Sequence, residues 1–290
     1  MKALDFKLLS TVLLAFFIYS SCDSKSRASS AVVEETLESH DESTTESPET
    51  AEAADEPLQF RALLASYPDF IKGFDGNNVI LTTGETLLYD DGKTKNFQER
   101  LDNSDIEDMF FDVYTLPDPE PDYQFDPGRS RSEDLYKAMY GRSAGEIQKK
   151  LVPVEWFGQR VQFTSVNGAA DSLRAVAKEI ALYPELKPFL KSSGTFYWRQ
   201  VRGAKRMSAH SYGIAFDIAV DKSDYWQWKS GSNDETIKVK YSNRIPRKIV
   251  EIFQRHGFIW GGAWYHFDTM HFEFRPELLK YAEMMGSSNN

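Results

Sequence analysis

Near residue 58 the chain changes character, and that break fixes how much of it can fold. Residues 23–57 are Ser, Thr, Glu, Ala and Pro with almost no large apolar side chain, so they cannot bury enough surface to offset chain entropy. They hold eleven acids against Lys25 and Arg27, a net charge of −9. Like charges at Glu34, Glu35, Glu38, Asp41, Glu42 and Glu46 repel and extend the chain, so 23–57 reads as a disordered acidic tether. Residues 58–290 carry 32 acids and 30 bases and are nearly neutral. They are enough for one large domain or two small ones. A chain that is 41% apolar and 14% aromatic is a soluble globular protein with appendages. Without clustered excess Lys and Arg, a strongly basic nucleic-acid binder is excluded and no nucleic-acid partner is expected.

Lys2 and Lys7 precede an apolar run from Leu8 to Tyr19, about 12 residues, too short to span a bilayer as a helix and suited to an export signal. Cys22 is the single cysteine and follows Ser20 and Ser21. This arrangement resembles a bacterial lipoprotein signal, in which the cysteine is lipidated and becomes the new N-terminus. The resemblance implies that residues 1–22 are a signal peptide, that lipidated Cys22 anchors the protein to a membrane of the cell envelope, on its periplasmic or extracellular side, and that the tether lifts the folded part off that membrane. Tyr19 stands where the pattern usually has Leu; the alternative is an ordinary signal peptide with an incidental cysteine. A lone cysteine excludes an intrachain disulfide and a Cys-based zinc ribbon.

Past residue 58 no internal repeat is visible. Val79–Thr82 and Glu85–Tyr89 flank Thr83-Gly84 and predict a hairpin, closed by a turn at Asp90-Asp91-Gly92. Residues 117–127 hold four prolines and four acids and predict a loop. Short helices are expected over 132–140 and 144–150, a strand over 161–166 and an amphipathic helix over 169–183 with Leu173, Val176, Ala177 and Ile180 on one face. Arg129 and Arg131 can either meet an anionic substrate or serve the structure.

The chemistry-bearing stretch begins later. After Gly213, Ile214, Phe216, Ile218 and Val220 alternate with Ala215, Asp217 and Ala219, the pattern of a strand with one apolar face. Met270, Phe272 and Phe274 alternate likewise with Thr269, His271 and Glu273. If the two strands are neighbours, Asp217 and His271 emerge on one face and His210, in the loop entering the first strand, folds over them. Two imidazoles and a carboxylate are the ligand set of a catalytic zinc ion, which keeps a fourth position for water and lowers that water's pKa toward about 7. Asp268, placed in the turn before the second strand, is the candidate general base.

Ser208-Ala209-His210-Ser211-Tyr212-Gly213-Ile214-Ala215-Phe216-Asp217 and Asp268-Thr269-Met270-His271 resemble the two signatures of the zinc D-alanyl-D-alanine carboxypeptidases and L-alanyl-D-glutamate endopeptidases, bacterial enzymes that cut peptidoglycan stem peptides. The resemblance covers roughly residues 160–280. It implies zinc held by His210, Asp217 and His271, Asp268 as base, and Arg199, in Trp198-Arg199-Gln200, as the arginine that contacts substrate or stabilises the oxyanion. It also implies an α+β fold like that of the hedgehog signalling domain, a small antiparallel sheet with helices on one face and a zinc cleft on the other. The expected organisation is then an extension over 58–160 packed on a zinc peptidase domain over 161–285, acting as a monomer on stem peptides. A non-catalytic zinc domain that binds wall peptide or a protein partner is the alternative. Ser208, His266 and Trp264 are candidate substrate contacts; His266 can equally be an exposed loop residue, and Trp264 with Trp260, Gly261 and Gly262 an aromatic wall or ordinary core. Glu273 shares the face of His271 and is a candidate to orient it. His256 is expected to cap the helix over 245–255 or face solvent.

Overall fold

In the computed structural model of the chain, residues 56–288 are described. The export signal, Cys22 and nearly all of the acidic tether lie outside the described residues, among which no helix is long and apolar enough to cross a membrane. Pro57, with φ −51°, leads into α1 (Leu58–Ser66), which buries Phe60, Ala62 and Leu63. A three-stranded antiparallel sheet follows: β1 (Ile71–Phe74), β2 (Asn78–Leu81) and β3 (Thr86–Leu88). The hairpin pairs Val79 with Leu87 and Ile80 with Thr86. β1, which the sequence did not announce, pairs with β2 through a register shift between Ile71 and Gly73; an irregular four-residue strand leaves no clean alternation to read.

α2 (Phe97–Asp102) opens with a capping box in which the Asn96 side chain and Glu99 satisfy each other's backbone N–H groups. The acidic turn beside it closes on Lys95, whose ammonium lies 3.2, 2.7 and 2.5 Å from Asp91, Asp105 and Asp108, so these carboxylates are already neutralised. α3 (Glu133–Tyr140) and α4 (Ala144–Gln148) start where Ser132 and Ser143 supply N-cap acceptors. Then come β4 (Leu151–Trp156) and β5 (Gln159–Thr164), a two-stranded antiparallel pair. Pro153 within β4 hides that strand from sequence reading, since proline cannot donate to a ladder. α5 (Ala169–Ile180) buries Leu173, Val176 and Ile180 and ends three residues earlier than the sequence predicts.

The remaining elements are β6 (Ser192–Gly194), β7 (Ala215–Ile218), α6 (Trp226–Ser230), α7 (Arg247–Arg255), β8 (Phe258–Trp260), β9 (His271–Phe274) and α8 (Pro276–Ser288). Strands β6, β7, β9 and β8, in that spatial order, form a four-stranded antiparallel sheet. One face of it is apolar: Phe253 of α7 stacks on Phe272 at 3.9 Å between ring centroids and lies 6.2 Å from Phe216, which meets Trp156 of β4 edge-on at 4.7 Å. Truncating Phe253 to alanine would cost about 3–5 kcal/mol, the usual toll for a buried aromatic. The opposite face carries Asp217, His271 and Glu273.

The α+β class holds, and the chain builds three small antiparallel sheets where one was expected. Strand limits also differ from the expected ones. Ala219 adopts a left-handed φ of 52°, so β7 stops at Ile218 and Val220 leaves the apolar layer, 41% exposed. Thr269 and Met270 form a turn, and β9 starts only at His271. All described elements lie within one compact unit, residues 52–290.

Candidate metal centre

β7 and β9 run antiparallel with Asp217 directly opposite His271, and cross-strand partners project to one side of a sheet. His210 comes from the short 3-10 turn Ala209–Tyr212 just before β7. Its Nε2 lies 3.2 Å from Asp217 Oδ2, while His271 Nδ1 lies 3.0 Å from Asp217 Oδ1. The two imidazole rings are 5.2 Å apart and steeply inclined. One donor atom from each of His210, Asp217 and His271 falls within 4.8 Å of the others, and the three form a group that can hold a metal ion.

The outer nitrogens fix how these rings face. His210 Nδ1 sits 2.5 Å from the Thr195 carbonyl oxygen, an acceptor only, so Nδ1 carries a hydrogen and Nε2 is the nitrogen turned toward Asp217. His271 Nε2 faces Glu273 Oε2 at 3.4 Å, which leaves Nδ1 for the centre. Both outer partners are of the kind that orients metal-binding imidazoles. Glu273 is fully buried, yet Arg131 grips it through Nε and Nη2 at 2.8 and 2.7 Å, and Arg275 Nη1 donates to it at 3.1 Å. Burial opposes its charge, but the two guanidiniums hold the Glu273 carboxyl well below its usual range. Burial likewise opposes charge on His271, while Asp217 and Glu273 raise it, for a net rise to about 10.

Asp268 begins the turn before β9, its carbonyl accepting from His271 N at 3.1 Å. Its Oδ1 is buried with no hydrogen-bond partner among the described residues. Burial and the neighbouring Asp217 carboxylate push the Asp268 carboxyl up to about 7, where it can accept and return a proton near neutrality. The turn fits because Gly261 has no side chain: a Cβ there would stand 2.7 Å from the Asp268 carbonyl oxygen and 3.2 Å from His271 Cβ.

These residues line a cleft of about 490 Å³. Ser208 and Arg199 are on its wall, joined by a bond from Ser208 N to the Arg199 carbonyl. The Arg199 guanidinium is exposed, donates only to the Gln200 carbonyl at 3.2 Å, and makes no ion pair among the described residues. Trp264 is buried with its ring 5.5 Å from that of His271 and its Nε1 donating to the Pro127 carbonyl at 2.7 Å. Trp260 instead belongs to the core, donating to the Thr269 carbonyl.

His266 is not an exposed loop residue: it is 1% exposed. Its Nδ1 meets Asp126 Oδ2 at 2.5 Å and its Nε2 the Glu235 carbonyl at 3.0 Å, so it borders the cleft without a free nitrogen to offer. Arg129 is committed as well, to Asp126 at 2.9 Å and Glu235 at 3.0 Å. His256 pairs with Glu179 at 2.8 Å. Sequence reasoning missed Asp126 and Glu235, 140 and 31 residues away from His266; the Asp-Pro-Gly turn at 126–128 is the one signal that Asp126 held a fixed geometry.

No curated protein matches the chain. Residues 202–274 match the model of a family described as D-alanyl-D-alanine carboxypeptidase, a peptidase family. That span contains His210, Asp217, Asp268 and His271; it begins just after Arg199 and ends just past Glu273. The stretch 202–274, which builds the centre, is thus the part of the chain that carries the likeness to the D-alanyl-D-alanine carboxypeptidase family read from its two motifs.

Proposed function

We propose that the protein is a zinc-dependent peptidase that hydrolyses amide bonds of peptidoglycan stem peptides. The observation that carries this reading is the convergence of His210, Asp217 and His271 within 4.8 Å, both imidazoles turned by outer acceptors so that one ring nitrogen of each faces the centre. Two nitrogens and one oxygen at a cleft floor are the donor set of a catalytic zinc site. A zinc ion held there would supply a Lewis acid that polarises water and the scissile carbonyl.

The chain's own groups do the rest. Asp268, whose Oδ1 has no other partner among the described residues, takes the proton of the attacking water and returns it to the leaving amine. Arg199, exposed on the cleft wall without a carboxylate partner among those residues, donates to the oxyanion as charge develops on it. Ser208 and Trp264 bound the space beside the reacting bond. The same reading has the enzyme act as a monomer in the cell envelope, carried on its acidic tether from Cys22.

Digestion of purified muropeptides with and without a chelator, followed by mass spectrometry, tests this. Loss of a terminal alanine marks a carboxypeptidase, and release at the L-Ala–D-Glu bond marks an endopeptidase. Unchanged muropeptides with zinc-loaded protein would overturn the proposal in favour of a binding domain.

A further inference from the structure

Beside the metal cleft lies a second hollow of about 320 Å³, lined by Arg202, Gln227, Trp228, Gly231, Ser232 and Asn233. Arg202, Gln227 and Trp228 border both spaces, so the two share a wall. α6 separates its two indoles by side: Trp226 is buried against His266 at 4.8 Å, while Trp228 is 58% exposed. Trp228 is nevertheless held, because Tyr225 meets it edge-on at 5.6 Å and 88°. The result is an indole face fixed toward solvent at the rim of a catalytic cleft.

Ser232 Oγ accepts from Asp234 N at 3.0 Å, but other polar side chains around it are free. Arg129, Arg131 and Arg206 in the neighbouring cleft are spent on Asp126 and Glu235, on Glu273, and on Asp102 and Glu235. The side chains of Arg202, Gln227 and Asn233 have no hydrogen-bond or ion-pair partner among the described residues. A flat, exposed aromatic face ringed by uncommitted amides and a guanidinium matches a ring with an apolar C–H face and an edge of hydroxyl and acetamido groups. A small apolar ligand would leave the amides unused, and a plain anion would leave the indole unused. The hollow's volume is at the small end of ligand sites.

We infer that this hollow is a saccharide subsite, in which one amino-sugar ring of the glycan strand stacks on Trp228 and hydrogen-bonds to Gln227, Asn233 and Arg202. The inference rests on the peptidoglycan reading above: a stem peptide in the metal cleft is covalently joined to such a ring, and the shared wall lets both be bound at once. The free energy from the sugar then helps to orient the peptide.

The test separates sugar from peptide. The peptide-free disaccharide of N-acetylglucosamine and N-acetylmuramic acid is titrated into the metal-free full chain by saturation-transfer NMR and calorimetry. Saturable binding is expected, with saturation strongest on the C–H face of one ring. Trp228→Ala should weaken it at least about tenfold while the thermal midpoint holds, and Trp228→Phe should recover part of it. No saturable binding, or equal binding by wild type and Trp228→Ala, overturns the subsite. Hydrolysis of a sugar-free stem peptide by the wild type, measured separately, speaks only to the peptidase reading, so either idea can fail without the other.

Discussion

Two stretches of this chain meet at the candidate metal centre and contribute to it in opposite ways. Residues 202–274, which match the family model, bring the three donor groups and Asp268 together through one pair of strands and two turns. Residues 126–131, far outside that match, bring no donor but hold what surrounds them: Asp126 takes one nitrogen of His266, and Arg131 clamps the carboxylate that faces His271. The difference teaches that motif and support are separable in sequence and inseparable in space. A domain cut at residue 160 would keep every signature residue and lose one of the two guanidiniums that hold the buried Glu273 charged.

The comparison is broken most forcefully from within the matched stretch. Asp268→Asn should lower kcat by roughly 10²–10⁴, the range of a lost general base, while metal content by atomic absorption stays at one per chain. Loss of metal along with activity would move Asp268 from chemistry to ligation. The pH profile gives the same test without mutation. Asp268 is raised to about 7 by burial and by Asp217, and a cation on the three ligands would offset the Asp217 charge and bring it lower. Below that pKa the carboxyl is protonated and accepts nothing, so kcat/KM should fall about tenfold per pH unit on an acid limb lying at or below pH 7. A profile with no acid limb anywhere below pH 8 would remove Asp268 as base.

Next in size is the clamp. Arg131→Met leaves Glu273 buried with Arg275 as its one remaining guanidinium, and Glu273 then turns or takes a proton. Altered outer partners of ligand histidines typically cost 10–100-fold in metal affinity or activity. Competition with a chromophoric chelator should show that weakening, and Arg131→Lys should restore only part of it, because an ammonium cannot reproduce a two-pronged grip. Unchanged affinity would reduce residues 126–131 to packing.

How much of this was legible follows the same divide. The alternation at 214–218 and 271–274 exposed the faces of β7 and β9, and parity alone put Asp217 and His271 on the polar side. Their pairing across the sheet was a condition that parity cannot supply, since nothing in a strand's own residues names its neighbour. β8 escaped because Phe258, Ile259 and Trp260 are all buried and do not alternate. His266 misled because a histidine two residues from a candidate base looks like chemistry; its acceptors Asp126 and Glu235 lie on loops, where no periodicity marks a partner. Within residues 58–160 the hairpin and two helices were legible, but the support they give the site was not, because it is carried by single long-range ion pairs, Arg131 with Glu273 across 142 positions, which leave no local pattern.

The finest test compares two glycines, one far outside the matched stretch and one inside it. Gly84, in the β2–β3 turn, has φ +86°, and a Cβ added to it would meet nothing within 4 Å. Gly84→Ala therefore costs backbone strain alone, about 1 kcal/mol, and should leave metal affinity where it was. Gly261 has no such φ, but its Cβ would strike the Asp268 carbonyl oxygen at 2.7 Å, the Trp264 ring at 2.9 Å and His271 Cβ at 3.2 Å. Overpacking of this kind costs about 1–3 kcal/mol, and here the atoms that must give way belong to the proposed ligand His271 and the proposed base Asp268. Thermal melts with and without zinc separate the two effects. Gly84→Ala should lower both midpoints equally, whereas Gly261→Ala should also shrink the gap between them, because the strain is relieved by moving His271. Equal gaps in both variants would mean that the turn at 268–271 yields without disturbing the centre, and that the close approach at Gly261 serves packing alone.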